Sequence, residues 1–259
     1  VVRSLRGSTE PGTVRVIVRE GVYQLDRTLA FTKDDFGSPE LFDWHTSTEP
    51  LHPVVYEAYP GEQPVVSAGM PVTGWKLLES PPAELPTEAV GNAWVADMPT
   101  GMDRFYTLYD SQGRLNRARN SGFAYTKQGN QRTLHFPEGA LKNWDNLADV
   151  EIQVRPGRAW AINMLPLETV DEGSGVATTG ASATYGMGPL PGYLHDPEAS
   201  VVWVENILEA LDEPGEWIVN TETRKIYLWP SDPASDGSPR GILAPSTTEL
   251  IRIEGEIDY

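Results

Sequence analysis

Cysteine is missing from all 259 residues. Its absence removes disulfides, thiol nucleophiles and cysteine-ligated zinc together, while leaving the compartment open. No apolar run approaches the roughly 18 residues of a membrane-spanning helix, so no membrane partner is expected. Positive charge is scarce: 20 Lys and Arg stand against 37 Asp and Glu, a formal net charge of −17. A surface this acidic repels phosphate backbones and makes nucleic acid a poor partner. It suits a soluble extracellular protein and a neutral or cationic ligand. The four histidines, His45, His52, His135 and His195, show no metal-ligand spacing and no HExxH, and no GxSxG elbow offers a serine nucleophile. Val1 is not a Met, and no charged segment followed by an apolar one comes after it, so the start reads as processed or trimmed. No cofactor and no metal are expected.

What is present points to a folded, turn-rich chain. Hydrophobic residues make up 39% and aromatics 9%, too many for disorder. The length allows one large or two modest domains. With 24 Gly and 22 Pro, turns are frequent and long helices few. Residues 1–6 (VVRSLR) read as the last turns of a helix closed by Gly7, Pro11 and Gly12. Residues 13–19 (TVRVIVR) alternate strictly around Val14, Val16 and Val18, the pattern of a strand. Short strands follow at 22–25 and 28–32. Residues 53–69 repeat the style, strand, turn (Tyr59-Pro60-Gly61-Glu62), strand. These pieces pair either as hairpins or as sides of stacked coils at twenty-odd residues per circuit. On the second reading Val16, Val18, Val22, Leu25 and Leu29 face inward.

From Trp75 the texture changes. Residues 79–91 are Pro-rich and read as a linker or long loop. Short β patterns without coil spacing follow at 94–98, 104–109, 150–154, 201–204 and 225–229, and residues 107–115 carry the turn chemistry of a hairpin. The small-residue stretch 173–192 reads as a long loop or flexible hairpin. Residues 204–211 (VENILEAL) look helical and stop at Pro214-Gly215, after which 217–219 and 226–228 are expected to pair across a polar turn. Residues 249–253 (ELIRI) return to a coil-like strand, and 257–259 begin another.

Three blocks of residues carry a resemblance. The first runs from Gly21-Val22-Tyr23 and Thr28-Leu29 through Val54-Val55-Tyr56, Tyr59-Pro60-Gly61-Glu62 and Pro64-Val65-Val66-Ser67 to Gly74-Trp75. The second is Leu108-Tyr109, Gly113-Arg114 and Arg117-Ala118-Arg119. The third is Val204-Glu205-Asn206, Leu211-Asp212, Pro214-Gly215-Glu216-Trp217 and Ile226-Tyr227-Leu228-Trp229-Pro230. In this order they resemble the right-handed parallel β-helix proteins of glycoside hydrolase family 141, in which a β-rich domain is inserted after the first coils. One departure is Ile218-Val219-Asn220, where relatives tend to carry Tyr-Leu-Asp. The resemblance implies an all-β chain: β-helix coils over 1–74, a mostly antiparallel inserted domain over 75–240, and a return to the helix over 241–259. It implies a secreted, extracellular or periplasmic enzyme hydrolysing fucoside- or xyloside-containing polysaccharide. The general acid and base then lie past Tyr259, and the rest of the same β-helix is a partner of this segment. A glycan-binding β-helix surface protein and a β-helix polysaccharide lyase are the alternatives.

Glycoside hydrolysis needs two carboxyl groups flanking the bond, but with 37 acids pairs are easy to find. Asp34-Asp35 read as a solvated loop, and Glu205, Glu209 and Asp212 as capping or turn residues. Sugar rings stack on flat aromatic faces. Trp44, flanked by His45, is the best exposed candidate, whereas Trp94, Trp160, Trp203, Trp217 and Trp229 sit in strand patterns that favour the core. Arg117 and Arg119 share a strand face and can neutralise a uronate or simply pair with acids. Trp44, His45, Arg117, Arg119 and His195 form the set of candidate contacts to a polysaccharide or oligosaccharide.

Overall fold

The computed structural model describes residues 14–32, 35, 54–156, 158, 160–189 and 201–254. The expected helix end at 1–6, the candidates Trp44, His45 and His195, and the strand expected at 257–259 lie outside the described residues. The described chain is all-β, with short 3-10 turns at Thr87–Ala89, Leu147–Asp149 and Leu208–Ala210. It forms two compact units: the described residues of Val1–Met70 with Pro245–Tyr259, and Pro71–Ala244.

In the first unit β1 (Val14–Val18) pairs with β4 (Val54–Ala58), β2 (Val22–Gln24) with β5 (Val65–Ser67), and β3 (Leu29–Phe31) with β20 (Ile251–Ile253). All three pairs are parallel, so the hairpin option for these strands is not the one adopted. The turns stack as well. Tyr59 N–H donates to the Val18 carbonyl (2.9 Å) and Val65 N–H to that of Gly21 (2.9 Å). Arg19 Nε donates to Glu62 Oε2 (2.9 Å), tying one turn to the next. Gly61 sits at φ 83°, a conformation glycine adopts without steric cost. Val16, Val18 and Leu25 are half-buried, but Val22 and Leu29 are exposed. Each of their strands has a single partner among the described residues, and a two-strand ladder leaves side chains uncovered on its open side.

The second unit begins and ends side by side: Val72 N–H donates to the Ile242 carbonyl (2.9 Å). The two crossings between units fall in β6 (Gly69–Pro71) and β19 (Leu243–Pro245). One sheet runs β11 (Asn116–Arg117), β17 (Glu216–Asn220), β18 (Lys225–Leu228), β8 (Trp94–Asp97), β7 (Lys76–Leu77). A second runs β12 (Thr133–His135), β15 (Val176–Thr179), β14 (Asn163–Asp171), β13 (Glu151–Val154), β16 (Val202–Glu205). Only the β11–β17 pair is parallel in these two sheets. β9 (Tyr109–Asp110) and β10 (Gly113–Arg114) form the hairpin expected at 107–115.

The pairing expected around the Asn220 turn is present, with Trp217 opposite Leu228 and Val219 opposite Ile226. Asn220 Oδ1 accepts the Thr223 N–H (2.9 Å) in that turn. Two local expectations are corrected and one is narrowed. The helix at 204–211 is instead the end of β16 followed by the Leu208–Ala210 turn, because Val202 and Val204 alternate with Trp203 and Glu205 against β13. Of the two options for 173–192, a long loop or a flexible hairpin, the first part is a hairpin arm: β15 pairs antiparallel with β14 and also with β12. The linker at 79–91 buries Leu85 and Ala89 in the core.

A buried polar node lies among these elements. Asn206, fully buried and at φ 67°, donates through Nδ2 to the carbonyls of Val219 (2.7 Å) and Asp149 (3.2 Å), and its Oδ1 accepts the Val219 N–H (2.8 Å). Those bonds hold a backbone geometry that a non-glycine residue rarely adopts. Asn206→Ala removes the partner of the Val219 N–H and carbonyl and leaves the Asp149 carbonyl with Arg117 alone, so it is expected to cost about 2–4 kcal/mol in urea unfolding. A loss below about 1 kcal/mol would contradict the role assigned to this side chain.

Candidate functional site

The outer face of the β14–β13–β16 sheet gathers the chemistry of the second unit. On β13, Ile152 and Val154 are buried and Glu151 and Gln153 point the other way. On β16, Val202 and Val204 are buried while Trp203 and Glu205 are half-buried on that same outer side. Register aligns Pro166, Glu151 and Glu205 in one row, which continues through the Glu205–Arg119 bridge. The next row holds Met164, Gln153 and Trp203. Partners across an antiparallel ladder lie about 4.5–5.5 Å apart at Cα, so each row is a line of touching or nearly touching groups.

Arg117 is nine-tenths buried and forms an ion pair with Glu151. It also donates to the Asp149 carbonyl (3.0 Å), and its guanidinium lies 5.8 Å from the Tyr106 ring centroid. Its structural partners are therefore the acids and carbonyls beneath the face. Arg119 is exposed and donates to Gln153 Oε1 (2.9 Å). Arg155 follows Gln153 two residues on, its guanidinium 6.0 Å from the Trp203 ring centroid. Tyr125 Oη donates to the Arg155 carbonyl (3.0 Å) and fixes that backbone. Asn120 Oδ1 accepts the N–H groups of Gly122 (3.1 Å) and Val204 (2.9 Å). That turn brings Gly122 under the indole of Trp203, where a Cβ would lie 2.6 Å from Cδ1, so only glycine permits the contact.

Of the candidates from sequence, Arg117 and Arg119 fall together on this face. Glu151, Gln153, Arg155, Trp203 and Glu205 were missed as a group. Their signal was the alternation of these residues with Ile152, Val154, Val202 and Val204. The sequence pattern alone puts Trp203 in the core and Glu205 among capping or turn residues. Trp217 is fully buried and stacks on Phe105 at 5.5 Å, whereas Trp160, expected in the core, is 71% exposed. The Glu216 carboxylate accepts the backbone N–H groups of Asp212 (2.9 Å) and Glu213 (3.1 Å), and Glu209 accepts from Lys142 and Trp144, each at 2.9 Å. Both are structural. Among the described residues no group of three metal-ligating side chains converges.

Burial pushes the Glu205 carboxyl above its ordinary value, Arg117 and Arg119 pull it down, and Glu151 across the ladder adds to the upward push. No protein-family model and no curated protein matches this chain. A solved structure described as a glycoside hydrolase is similar to it, with TM-score 0.62 and 20% identity over 98% of this chain and 43% of that one. The chain therefore has a glycoside hydrolase-like fold and spans less than half of that protein. No helix among the described residues is long and apolar enough to cross a membrane.

The Glu205 shift has a testable sign. An acid whose folded value lies above its unfolded one loses stability as pH rises through the interval between them, and the loss is complete above the folded value. Glu205→Gln should therefore gain stability relative to the unmodified chain as pH rises from about 4, the ordinary glutamate value, towards neutrality in denaturant unfolding. A difference that stays flat or falls over that range contradicts the shift.

Proposed function

We propose that this chain is part of a secreted glycoside hydrolase of the right-handed parallel β-helix type, resembling family 141 and acting on fucoside- or xyloside-containing polysaccharide. The observation that carries the reading is the order of the parallel pairs. The strands β1, β2 and β3 are met in the same sequence by β4, β5 and β20. A second circuit laid over a first, side by side, supports coil stacking. Between its second and third sides lies the domain we assign to 75–240. The similarity to a glycoside hydrolase over 98% of this chain supports the same reading. The coils are assigned to 1–74 and 241–259.

Within these residues the Glu151 carboxylate is held by Arg117, and the family-141 resemblance implies that the catalytic carboxyls lie on later coils. We therefore place the general acid and base in the remainder of the protein, and give the inserted domain the role of holding the glycan. Aryl fucosides, aryl xylosides and xylan should be turned over by the product of the complete reading frame and not by the 259 residues alone. Comparable turnover by the 259 residues would contradict this division and make Glu151 and Glu205 the first residues to replace. Failure of both proteins would contradict the hydrolase reading and favour a glycan-binding protein.

A further inference from the structure

We propose that the outer face of the β14–β13–β16 sheet binds an acidic saccharide, its sugar ring against Trp203 and its carboxylate between Arg119 and Arg155. The proposal rests on the carbohydrate reading above and deepens it by naming the ligand class. In a chain with 37 acids and 20 bases, an arginine readily finds a carboxylate. Arg15, Arg19, Arg104, Arg117, Arg132, Arg240 and Arg252 each have one within 4 Å. Arg119 and Arg155 form no ion pair among the described residues, although Glu205 stands across the ladder from Arg119. Arg155 Nε is buried without a hydrogen-bond partner.

These two cations flank one side chain. Arg119 reaches Gln153 from one direction. Arg155 lies two residues further on, one past the end of β13, about 6.6 Å away if the extended backbone continues. Opposite Gln153 stand Trp203 on one side and Met164, 56% exposed, on the other. Glu151 adds no net repulsion because Arg117 neutralises it. The face thus holds Arg117, Arg119 and Arg155 against Glu151 and Glu205, an excess of cations on a chain of net charge −17, with an aromatic platform and an amide at its centre. A sugar ring needs the platform, and two guanidiniums outside any ion pair among the described residues suit a carboxylate, which accepts bidentate or paired N–H donors. A neutral ligand would leave Arg155 without an ion pair and Arg119 with only Glu205 across the ladder.

The test is calorimetric titration of the full 259-residue chain with a galacturonate hexamer, xylohexaose, and a polyglutamate of matching charge. The galacturonate hexamer should bind at least about tenfold more tightly than either of the others. Arg119→Gln and Arg155→Gln should each weaken galacturonate binding by about tenfold, leaving xylohexaose unchanged. Trp203→Ala should weaken both saccharides. Arg119 is exposed, so R119Q decides the matter alone if circular dichroism shows R155Q unfolded. Equal affinity for galacturonate and xylohexaose overturns the acidic ligand while the carbohydrate reading stands. Polyglutamate binding as tightly as galacturonate overturns recognition of a sugar. Galacturonate binding unchanged in R119Q, or no saccharide binding at all, overturns the proposal, and the hydrolase reading then rests on its separate turnover assay.

Discussion

Asp149 is almost wholly buried, and its carboxylate is engaged on every side. It accepts the N–H of Thr221 (2.7 Å), the hydroxyl of Thr221 (2.8 Å) and Arg104 Nη2 (2.8 Å). Its carbonyl accepts from Arg117 (3.0 Å) and Asn206 (3.2 Å). Asn206 in turn binds both backbone groups of Val219. One charged and one amide side chain thus join the turn before β13, the end of β16 and the strand β17, which belong to two different sheets. A buried polar network is stabilising only when each member is satisfied, and here the satisfaction comes from backbone groups that exist only in this arrangement.

The candidate site inherits its geometry from that node. Arg117 is held by the Asp149 carbonyl and by Glu151, so it cannot swing outward, and Glu151 is neutralised in place. Arg119, two residues on, is left on the outer face beside Gln153 with no acid within ion-pair distance. Burial of Glu205 follows from its position opposite both Glu151 and Arg119. Structure and chemistry meet on a single surface: alternation along β13 and β16 buries valines and an isoleucine on one side and gathers arginines, glutamates and a tryptophan on the other. An overall charge of −17 argued for a neutral or cationic ligand, yet charge is local, and this face carries the opposite sign.

Where sequence had strong punctuation, it was legible. Pro214-Gly215 and the polar run 220–223 located the β17–β18 hairpin, and Val14, Val16 and Val18 located β1. The return of 249–253 to the first unit was also readable, since Ile251 and Ile253 alternate about Arg252. What failed depended on neighbours far away in the chain. The residues of 204–211 have helical spacing, but Val202 and Val204 find a closer match in β13. Thr178 and Thr179 left loop and hairpin open because the strands that hold β15 are supplied by 133–135 and 163–171. Trp203 and Glu205 could not be joined to Arg119 without knowing that residues 119 and 205 form a bridge.

The Asp149–Asn206 node binds the two sheets of the second unit into one cooperative body. Native-state amide hydrogen exchange tests it most directly. The amides of Val219 and Thr221, bonded to Asn206 and Asp149, and that of Ile152 in the β13 ladder should exchange with one common opening free energy, equal to that of global unfolding. If Val219 and Thr221 open at a cost well below that of Ile152, the sheets separate before the unit unfolds, and the node does not hold them together.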